Sequence, residues 1–133
     1  SGLPNVKFET VTARKSPGSN YDLVAFFDCL HDMGDPVAAM SHAREILKPD
    51  GTVLLVDPFA HDTLAENLNP VGRMYYSFST TVCTPSALSQ EGGMSLGAQA
   101  GEAKLKGIAM EAGFTRFRRA TETPFNLILE VRP

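Results

Sequence analysis

Two apolar segments separated by a helix-like segment constrain the fold of this chain more than any other feature. Leu23 to Phe27 is apolar at every position, and Thr52 to Asp57 is a second run rich in strand-forming residues. Full apolarity is typical of a parallel strand that helices cover on both faces. Between the runs, Asp35-Pro36 combines a capping acid with a proline suited to a first helical turn. The sequence therefore predicts a right-handed strand–helix–strand crossover, with Leu23 to Phe27 at the centre of an α/β sheet.

The segments that flank this crossover extend the predicted sheet at both ends. Val6 to Val11 alternates apolar and charged residues, which is typical of a strand with one face in water. The crossover helix is expected to end at Lys48-Pro49-Asp50-Gly51, which has the composition of a turn. Phe114 to Thr121 and Phe125 to Arg132 are predicted to form an antiparallel hairpin.

The long segment between the second apolar run and the hairpin has weaker periodicity. Residues 59–99 form an unusually long connection, and such insertions are often lids or binding loops. Within it, Pro70 to Thr80 is compatible with a helix that carries three aromatic residues. Glu102 to Ala112 has clear helical spacing, and Gly113 is expected to end that helix.

Length and composition limit the number of domains and the kinds of partner. A chain of 133 residues with 43% hydrophobic content buries one core of ordinary size, so we expect a single domain over residues 3–133. We interpret Ser1-Gly2 as a cloning remnant. The net charge of −3 offers no basic field for nucleic acid or for an anionic membrane. No apolar run is long enough to span a bilayer, and Cys29 and Cys83 fit a reducing compartment, so we expect a cytoplasmic location.

Four sequence pieces, taken in order, carry a family resemblance. They are Tyr21-Asp22-Leu23-Val24, His31-Asp32-Met33-Gly34-Asp35-Pro36, Leu47-Lys48-Pro49-Asp50-Gly51-Thr52 and Glu111-Ala112-Gly113-Phe114. Together they resemble the C-terminal half of class I S-adenosylmethionine-dependent methyltransferases. Residues 27–36, 79–86 and 123–126 are similar to a narrower bacterial small-molecule subgroup, which is often preceded by a winged-helix region. The resemblance implies a partial Rossmann-like sheet with strands 3, 4, 5, 6 and 7 of the family, a C-terminal antiparallel hairpin, and strands 1 and 2 absent.

The family's cofactor-binding front half has no counterpart in this sequence. Its glycine-rich loop would follow a first strand, but the only glycines before Asp22 are Gly2 and Gly18. The position after the third strand, where the family often places an acid near the adenine, reads Thr12-Ala13. The resemblance implies an intact enzyme that transfers a methyl group from S-adenosylmethionine to a small-molecule acceptor. We expect this chain alone to bind the cofactor weakly or not at all and to be inactive.

The missing strands also lead to an expectation about assembly. In the family's strand order, strands 1 and 2 lie beyond the fourth strand, so their absence leaves Leu23 to Phe27 with an unpaired apolar edge, which invites pairing. Either Val6 to Val11 pairs there or two chains meet, and we expect a homodimer or a strand-swapped assembly. A non-catalytic interaction or regulatory module that assembles through this edge is the alternative function.

The turn after the first apolar run holds the candidate catalytic and cofactor-binding residues. His31 could act as a general base near neutral pH, and the alternative is a structural turn histidine bonded to backbone. Asp32 is a partner for His31 or a helix-entry cap. Asp28 could simply terminate its strand; the resemblance instead places Phe27, Asp28 and Cys29 beside the methionine part and methyl group of the cofactor.

The acceptor side is assigned to residues at the end of the second apolar run and in the long connection: Asp57, Phe59, His61, Tyr75, Tyr76 and Phe78. Aromatic side chains commonly line ligand sites, but core packing of an inserted helix would explain the last three equally well. His61 lies close in sequence to Asp57 and Asp62, but this spacing matches no established metal motif, so the sequence predicts no metal site.

Overall fold

The computed structural model describes residues 2–133, so Ser1 of the interpreted cloning remnant lies outside it. The described residues form four strands and four α-helices, which follow one another along the chain as β1 Tyr21–Phe27, α1 Pro36–Ile46, β2 Leu47–Pro58, α2 Pro70–Phe78, α3 Thr84–Leu88, α4 Gly101–Glu111, β3 Arg116–Glu122 and β4 Asn126–Arg132. Short 3-10 turns lie at Ala13–Lys15 and Leu30–Asp32, and a π-helical turn at Ser79–Cys83 joins α2 to α3. None of the helices in the described part has the length and apolarity to cross a lipid bilayer.

The four strands form one mixed sheet in the order β1-β2-β4-β3. β1 pairs with β2 in parallel, with Phe26 opposite Leu55. β4 runs antiparallel to both β2 and β3, and Leu129 lies opposite Leu55. The predicted α/β class and the predicted C-terminal hairpin are therefore confirmed.

The core lies against one face of this sheet. Burial alternates along β4, so that every second side chain is fully enclosed and the next is half-buried. This period-two pattern is the signature of a sheet with one covered face. Helices α1 and α4 supply the cover, and the enclosed side chains form one cluster: Phe26, Met40, Ala43, Val53, Leu55, Leu105, Ile108, Leu127, Leu129 and Val131.

The predicted position of β1 at the centre of the sheet, covered on both faces, is wrong. β1 is an edge strand, and Leu23 and Phe27 on its second face are 54% and 65% exposed. Full apolarity shows that a strand is suited to burial on both faces, but it does not show that covering elements are present. Within residues 2–133, no helix covers Leu23 or Phe27, because the long connection folds at the ends of the strands instead.

The prediction of a strand at Val6 to Val11 is also wrong. This segment has no regular secondary structure, and its Phe8 side chain is 80% exposed. Alternation of apolar and polar residues makes a segment suitable for a sheet surface, but a strand also needs a neighbour for its backbone groups. Since Val6 to Val11 does not pair with β1, the outer edge of β1 has no strand partner in the described part of the chain.

The predicted turn at Lys48 to Gly51 is present as an irregularity inside β2. Leu47 pairs with Tyr21, and Thr52 pairs with Leu23, so the four residues between them bulge out of the ladder. A Cβ on Gly51 would lie 2.9 Å from the carbonyl oxygen of Tyr21. Glycine therefore allows the bulge to close against β1.

Candidate functional site

A cavity of about 320 Å³ lies at the carboxyl ends of β1 and β2, and we refer to it as the strand-end pocket. In sheets of this kind ligands bind outside the carboxyl ends of the parallel strands. Its walls come from both strand ends, from the helical segment 75–83 and from the start of β4. The lining residues are Asp28, His31, Pro58, Tyr75, Phe78, Val82, Cys83, Ala98 and Asn126.

A buried histidine–carboxylate pair lies at this strand end. His31 Nδ1 donates to Asp57 Oδ1 at 2.9 Å, and the two residues are only 4% and 1% exposed. The parallel register explains the contact: Phe27 lies opposite Val56, so Asp57 at the end of β2 lies beside the turn that follows β1 and carries His31. A carboxylate that accepts at Nδ1 fixes the tautomer and leaves Nε2 as the free ring nitrogen.

Burial and pairing act in opposite directions on the two groups of this pair. Burial disfavours the charged imidazole of His31, but the hydrogen bond and negative charge of Asp57, with weaker help from Asp32 and Asp28, raise its pKa above the usual value. Burial also raises the pKa of Asp57, and the hydrogen bond from His31 opposes that rise. The geometry thus favours a protonated His31 at a higher pH than in water.

This raised pKa predicts a fall in stability with rising pH. The stabilising contribution of charged His31 is fully present below its ordinary pKa of about 6.5, and it is lost as the pH rises through the higher folded-state pKa. We expect the free energy of unfolding to fall by up to about 1.4 kcal/mol per pH unit in that window. Urea unfolding at a series of pH values measures this fall; a chelator in the buffer removes trace metal ions that could bind His31. The His31→Asn variant should lack this fall, whereas His61→Asn should retain it; identical pH curves for the chain and His31→Asn would contradict the prediction.

On its other side, His31 faces a second acid and a thiol. Its Nε2 lies 3.4 Å from Asp32 Oδ1. One ring nitrogen of His31, one carboxylate oxygen of Asp32 and Cys83 Sγ all lie within 4.8 Å of one another. Asp32 Oδ1 is buried and has no hydrogen-bond partner. Burial, with the neighbouring Asp32 carboxylate, raises the pKa of Cys83 to about 11. The thiol of Cys83 is therefore protonated at neutral pH.

Asp28 has an uncommon backbone conformation at the exit of β1. Its φ is +46°, in the left-handed region that few non-glycine residues adopt. The conformation is held from two sides, because the amide of Asp28 donates to Val56 O and its Oδ1 accepts from Asn126 Nδ2, both at 2.9 Å. Such conformations concentrate at functional sites. The bend places Asp28 on the wall of the strand-end pocket.

The opposite wall comes from the helical segment that begins with α2. Tyr75 donates its hydroxyl hydrogen to the carbonyl of Phe125 at 2.7 Å, which ties α2 to the hairpin. Beyond α2 the helix widens into the π-helical turn, where the amide of Thr84 reaches back five residues to Ser79. Pro85 explains the widening, since it lacks an amide hydrogen and its ring would crowd the carbonyl four residues earlier. The widened turn carries Val82 and Cys83 to the pocket.

The structure brings some of the predicted site residues together. Asp28, His31, Tyr75 and Phe78 all line the strand-end pocket. Asp57 does not line it, because its carboxylate lies behind the His31 ring. Asp32 contacts the free side of the same ring.

Other predicted site residues lie apart from the pocket. Phe27 points to the exposed face of the sheet, and Cys29 lines a separate cleft of about 430 Å³ along β1 and α1. Tyr76 lines a cavity of about 540 Å³ on the outer side of α2, which lacks the acids and histidine of the strand ends. Phe59 and His61 pack edge to face, with 5.0 Å between ring centres, and do not line the pocket. Their roles remain predictions.

Cys83 and Asn126 are pocket residues that the sequence interpretation missed. Asn126 could have been found, because β4 is antiparallel and its first residues must lie beside the carboxyl ends of the parallel strands. Cys83 carries no comparable signal. Its direction depends on the π-helical turn and on how the long connection folds over the strand ends.

Comparison with known proteins assigns the chain to a family. The sequence model of a family described as "Methyltransferase domain" matches residues 2–92. The chain belongs to the methyltransferase domain family. This match confirms the resemblance to class I S-adenosylmethionine-dependent methyltransferases. A non-reducing polyketide synthase, mapC, from Penicillium roqueforti is 36% identical over 56 residues, which cover 39% of this chain and 2% of the synthase.

Solved structures of methyltransferases share the fold over nearly the whole chain. Human N-acetylserotonin methyltransferase, solved in complex with SAM, superposes on 99% of it with a TM-score of 0.70 and 17% identity. The structure of TnmH superposes on 96% of this chain with a TM-score of 0.72. The CMeT domain of the citrinin polyketide synthase superposes on 97% of it with a TM-score of 0.69, and each is 18% identical. This chain spans only 33–35% of the length of these structures.

The described residues do not fit a complete site for S-adenosylmethionine. A glycine-rich loop between a strand and a helix, which approaches the nucleotide part in sheets of this kind, is absent from residues 2–133. The segment before β1 contains Gly2 and Gly18 and has no strand. The strand-end pocket therefore lacks the groups that hold the nucleotide part of the cofactor in such sheets.

Proposed function

We propose that this chain forms the acceptor side of a small-molecule methyl-transfer site in which His31 is the general base. The buried His31–Asp57 pair at the edge of the strand-end pocket is the observation that carries this proposal. A positioned base must lie within hydrogen-bond reach of the proton it removes. Nε2 of His31 is the ring nitrogen left free for that contact, and His31 lines the pocket.

The pocket residues act on the acceptor in distinct ways. Nε2 of His31 takes the proton from a hydroxyl, amine or acidic carbon of the acceptor, and this frees the electron pair that attacks the methyl group. Asp57 holds Nδ1 and stabilises the imidazolium that results. Tyr75, Phe78 and Val82 enclose the acceptor and exclude water, while Asp28 and Asn126 offer polar groups that orient it.

S-adenosylmethionine is the methyl donor that we propose for the intact enzyme. Phe27, Asp28 and Cys29 lie at the exit of β1 and would border the donor, and β1, β2, β3 and β4 would correspond to strands 4, 5, 6 and 7 of the family. The observed order β1-β2-β4-β3 supports this correspondence. Since the described residues lack the glycine-rich loop, we propose that this chain alone is inactive.

Cofactor binding tests whether the chain needs an additional segment with a glycine-rich loop. Calorimetry with S-adenosylhomocysteine should show no saturable binding to the 133-residue chain. A longer protein that contains this chain and a glycine-rich strand–loop–helix should bind the same compound. Micromolar binding to the chain alone would contradict the proposal that it needs that segment.

Activity of the longer protein tests the base. Transfer of labelled methyl groups to a panel of phenols, amines and 1,3-dicarbonyl compounds identifies an acceptor. The His31→Asn variant should then lower kcat by about 10²- to 10⁴-fold and leave KM for S-adenosylmethionine unchanged. His42→Asn is the matched control, because His42 lies on α1 and outside the strand-end pocket. Undiminished kcat in His31→Asn would remove His31 from the reaction.

A second proposed function, a non-catalytic interaction module, rests on the uncovered part of the sheet. The outer edge of β1 has no strand partner in residues 2–133, and the adjoining side chains Leu23 and Phe27 are exposed. An unpaired edge beside apolar side chains favours association. We propose that two chains meet there as a homodimer, either edge to edge or by exchange of a strand.

Sedimentation equilibrium tests this assembly. The chain should sediment as a dimer, and Leu23→Lys with Phe27→Lys should convert it to a folded monomer. Leu68→Lys is the control, since Leu68 is 76% exposed and lines the cavity on the outer side of α2, which contains no β1 residue. A folded monomer of the unchanged chain at micromolar concentration would reject the assembly.

A further inference from the structure

We propose that His31, Asp32 and Cys83 form a binding site for a divalent transition-metal ion of the zinc class. The three residues come from two separate segments, the 3-10 turn after β1 and the π-helical turn Ser79–Cys83. Imidazole nitrogen, carboxylate oxygen and thiolate sulfur are the ligand types of protein zinc sites. The fold therefore brings together three potential metal ligands whose spacing in the sequence does not predict a metal site.

The distances within the cluster suit coordination better than hydrogen bonding. His31 Nε2 and Asp32 Oδ1 are 3.4 Å apart, and Cys83 Sγ completes a group whose members all lie within 4.8 Å. Two ligands of a tetrahedral zinc ion are separated by roughly 3.3–3.6 Å, given metal–ligand bonds of about 2.0–2.3 Å. The nitrogen–oxygen pair already has this spacing, and a small movement of the thiol would complete the set.

An unsatisfied polar atom points independently to a cation. Asp32 Oδ1 is buried and accepts no hydrogen bond of good geometry, because its contact with His31 Nε2 is 3.4 Å long. A buried carboxylate oxygen whose hydrogen bonding is unsatisfied destabilises a protein, and a cation bound between Asp32, His31 and Cys83 would satisfy it. The surrounding charge also favours a cation, because Asp28 lines the pocket, Asp57 lies behind His31, and no Lys or Arg is among the lining residues.

Asp57 gives His31 the support that metal-binding histidines usually have. Such a histidine donates its second ring nitrogen to a carboxylate, which fixes the ring and makes the ligating nitrogen more basic. The 2.9 Å contact between His31 Nδ1 and Asp57 Oδ1 is this arrangement, with Nε2 directed to Asp32. In metal binding Asp57 is therefore a positioning residue.

Metal binding would release the thiol proton of Cys83 to solvent and would leave a fourth position open toward the strand-end pocket. A mixed nitrogen, oxygen and sulfur set favours Zn²⁺ or Co²⁺ over Mg²⁺ or Ca²⁺. The same Nε2 cannot hold a metal ion and accept a proton, so an occupied site would block the base. That consequence rests on the proposed function, whereas binding itself does not.

Titration of the metal-free chain with Co²⁺ tests the site without cofactor or acceptor. We expect one equivalent to bind, with the visible bands of a tetrahedral ion and a thiolate-to-cobalt charge-transfer band in the near ultraviolet. Zn²⁺ should displace Co²⁺ and abolish both signals. Cys83→Ser should remove the charge-transfer band and weaken binding at least about 100-fold, while the matched variant Cys29→Ser should bind as the unchanged chain does.

Three further variants distinguish loss of a metal ligand from loss of folding. Asp32→Asn, at a half-exposed position, and His31→Gln should weaken binding while His61→Gln does not, and circular dichroism should show each variant folded. The proposal is overturned if Co²⁺ does not bind at millimolar concentration, or if binding survives both Cys83→Ser and His31→Gln. Because the titration involves no methyl transfer, failure of the base assay would leave its outcome unaffected.

Discussion

Replacing Asp57 by alanine is expected to lower the free energy of unfolding by about 3 kcal/mol. The carboxylate of Asp57 is 1% exposed and accepts the hydrogen bond of a histidine that is itself 4% exposed. Its removal leaves the Nδ1 donor of His31 buried without an acceptor, and loss of one partner of a buried pair costs far more than the net value of the pair. A small cavity behind the ring adds to the loss.

Urea unfolding of the single variants and of a combined variant measures this cost. Asp57→Asn keeps the size and an acceptor oxygen, so it should lose less stability than Asp57→Ala. Adding His31→Leu to Asp57→Ala should restore part of the loss, because the unsatisfied donor is then absent. If Asp57→Ala costs no more than Asp50→Ala at an exposed position, His31 does not depend on Asp57.

Replacing Leu129 by alanine is expected to lower the free energy of unfolding by about 3 kcal/mol, whereas the same change at Ile128 should cost less than about 1 kcal/mol. The two residues are neighbours on β4, but they point to opposite faces of the sheet. Leu129 is fully buried beneath α1 and α4, and Ile128 is half-buried on the other face. The difference between the two changes measures how unequally the two faces are covered.

This pair of variants also reports on assembly. Urea unfolding at low protein concentration should show the full difference between Leu129→Ala and Ile128→Ala. Equal costs at both positions would contradict the one-sided sheet. A cost at Ile128 that grows with protein concentration would instead indicate that a second chain covers this face.

Local features were predictable from the sequence because nearby residues decide them. Asp35 caps α1 through a 2.9 Å bond from the Ala38 amide, as the Asp-Pro pair predicted. The hairpin of β3 and β4 forms at the expected turn, and α4 ends beside Gly113, whose φ is +90°. In each case the residues that determine the cap, turn or helix end lie in the same short segment as the backbone groups that form it.

Features that depend on a missing neighbour were not predictable. The apolar pattern of Leu23 to Phe27 is the same whether helices cover one face or two. The alternation at Val6 to Val11 likewise records suitability for a sheet and not the presence of a partner strand. Both errors arose because a pattern within a segment does not specify what packs against it.

The candidate site was predictable in part. The sequence predicts both His31 and Asp57 as site residues, because each lies at or just beyond the end of an apolar run, and parallel strands bring such ends together. Their mutual hydrogen bond was not predicted, since Asp57 was assigned to the acceptor. Cys83 could not be placed from the sequence, because nothing near it specifies which side of its helix faces His31.

The orientation of Cys83 depends on a single extra residue. A π-helical turn contains one residue more than an α-helical turn, and each residue rotates the helix by about 100°. A relative that lacks one residue within Ser79–Cys83, or that tolerates an ordinary turn because another residue replaces Pro85, would turn the equivalent thiol away from the histidine. Such a protein could keep its fold and its strand-end pocket and yet lack the thiol side of the cluster. Insertion or deletion of one residue in this helix can thus change which side chains face the strand-end pocket, while the rest of its sequence stays the same.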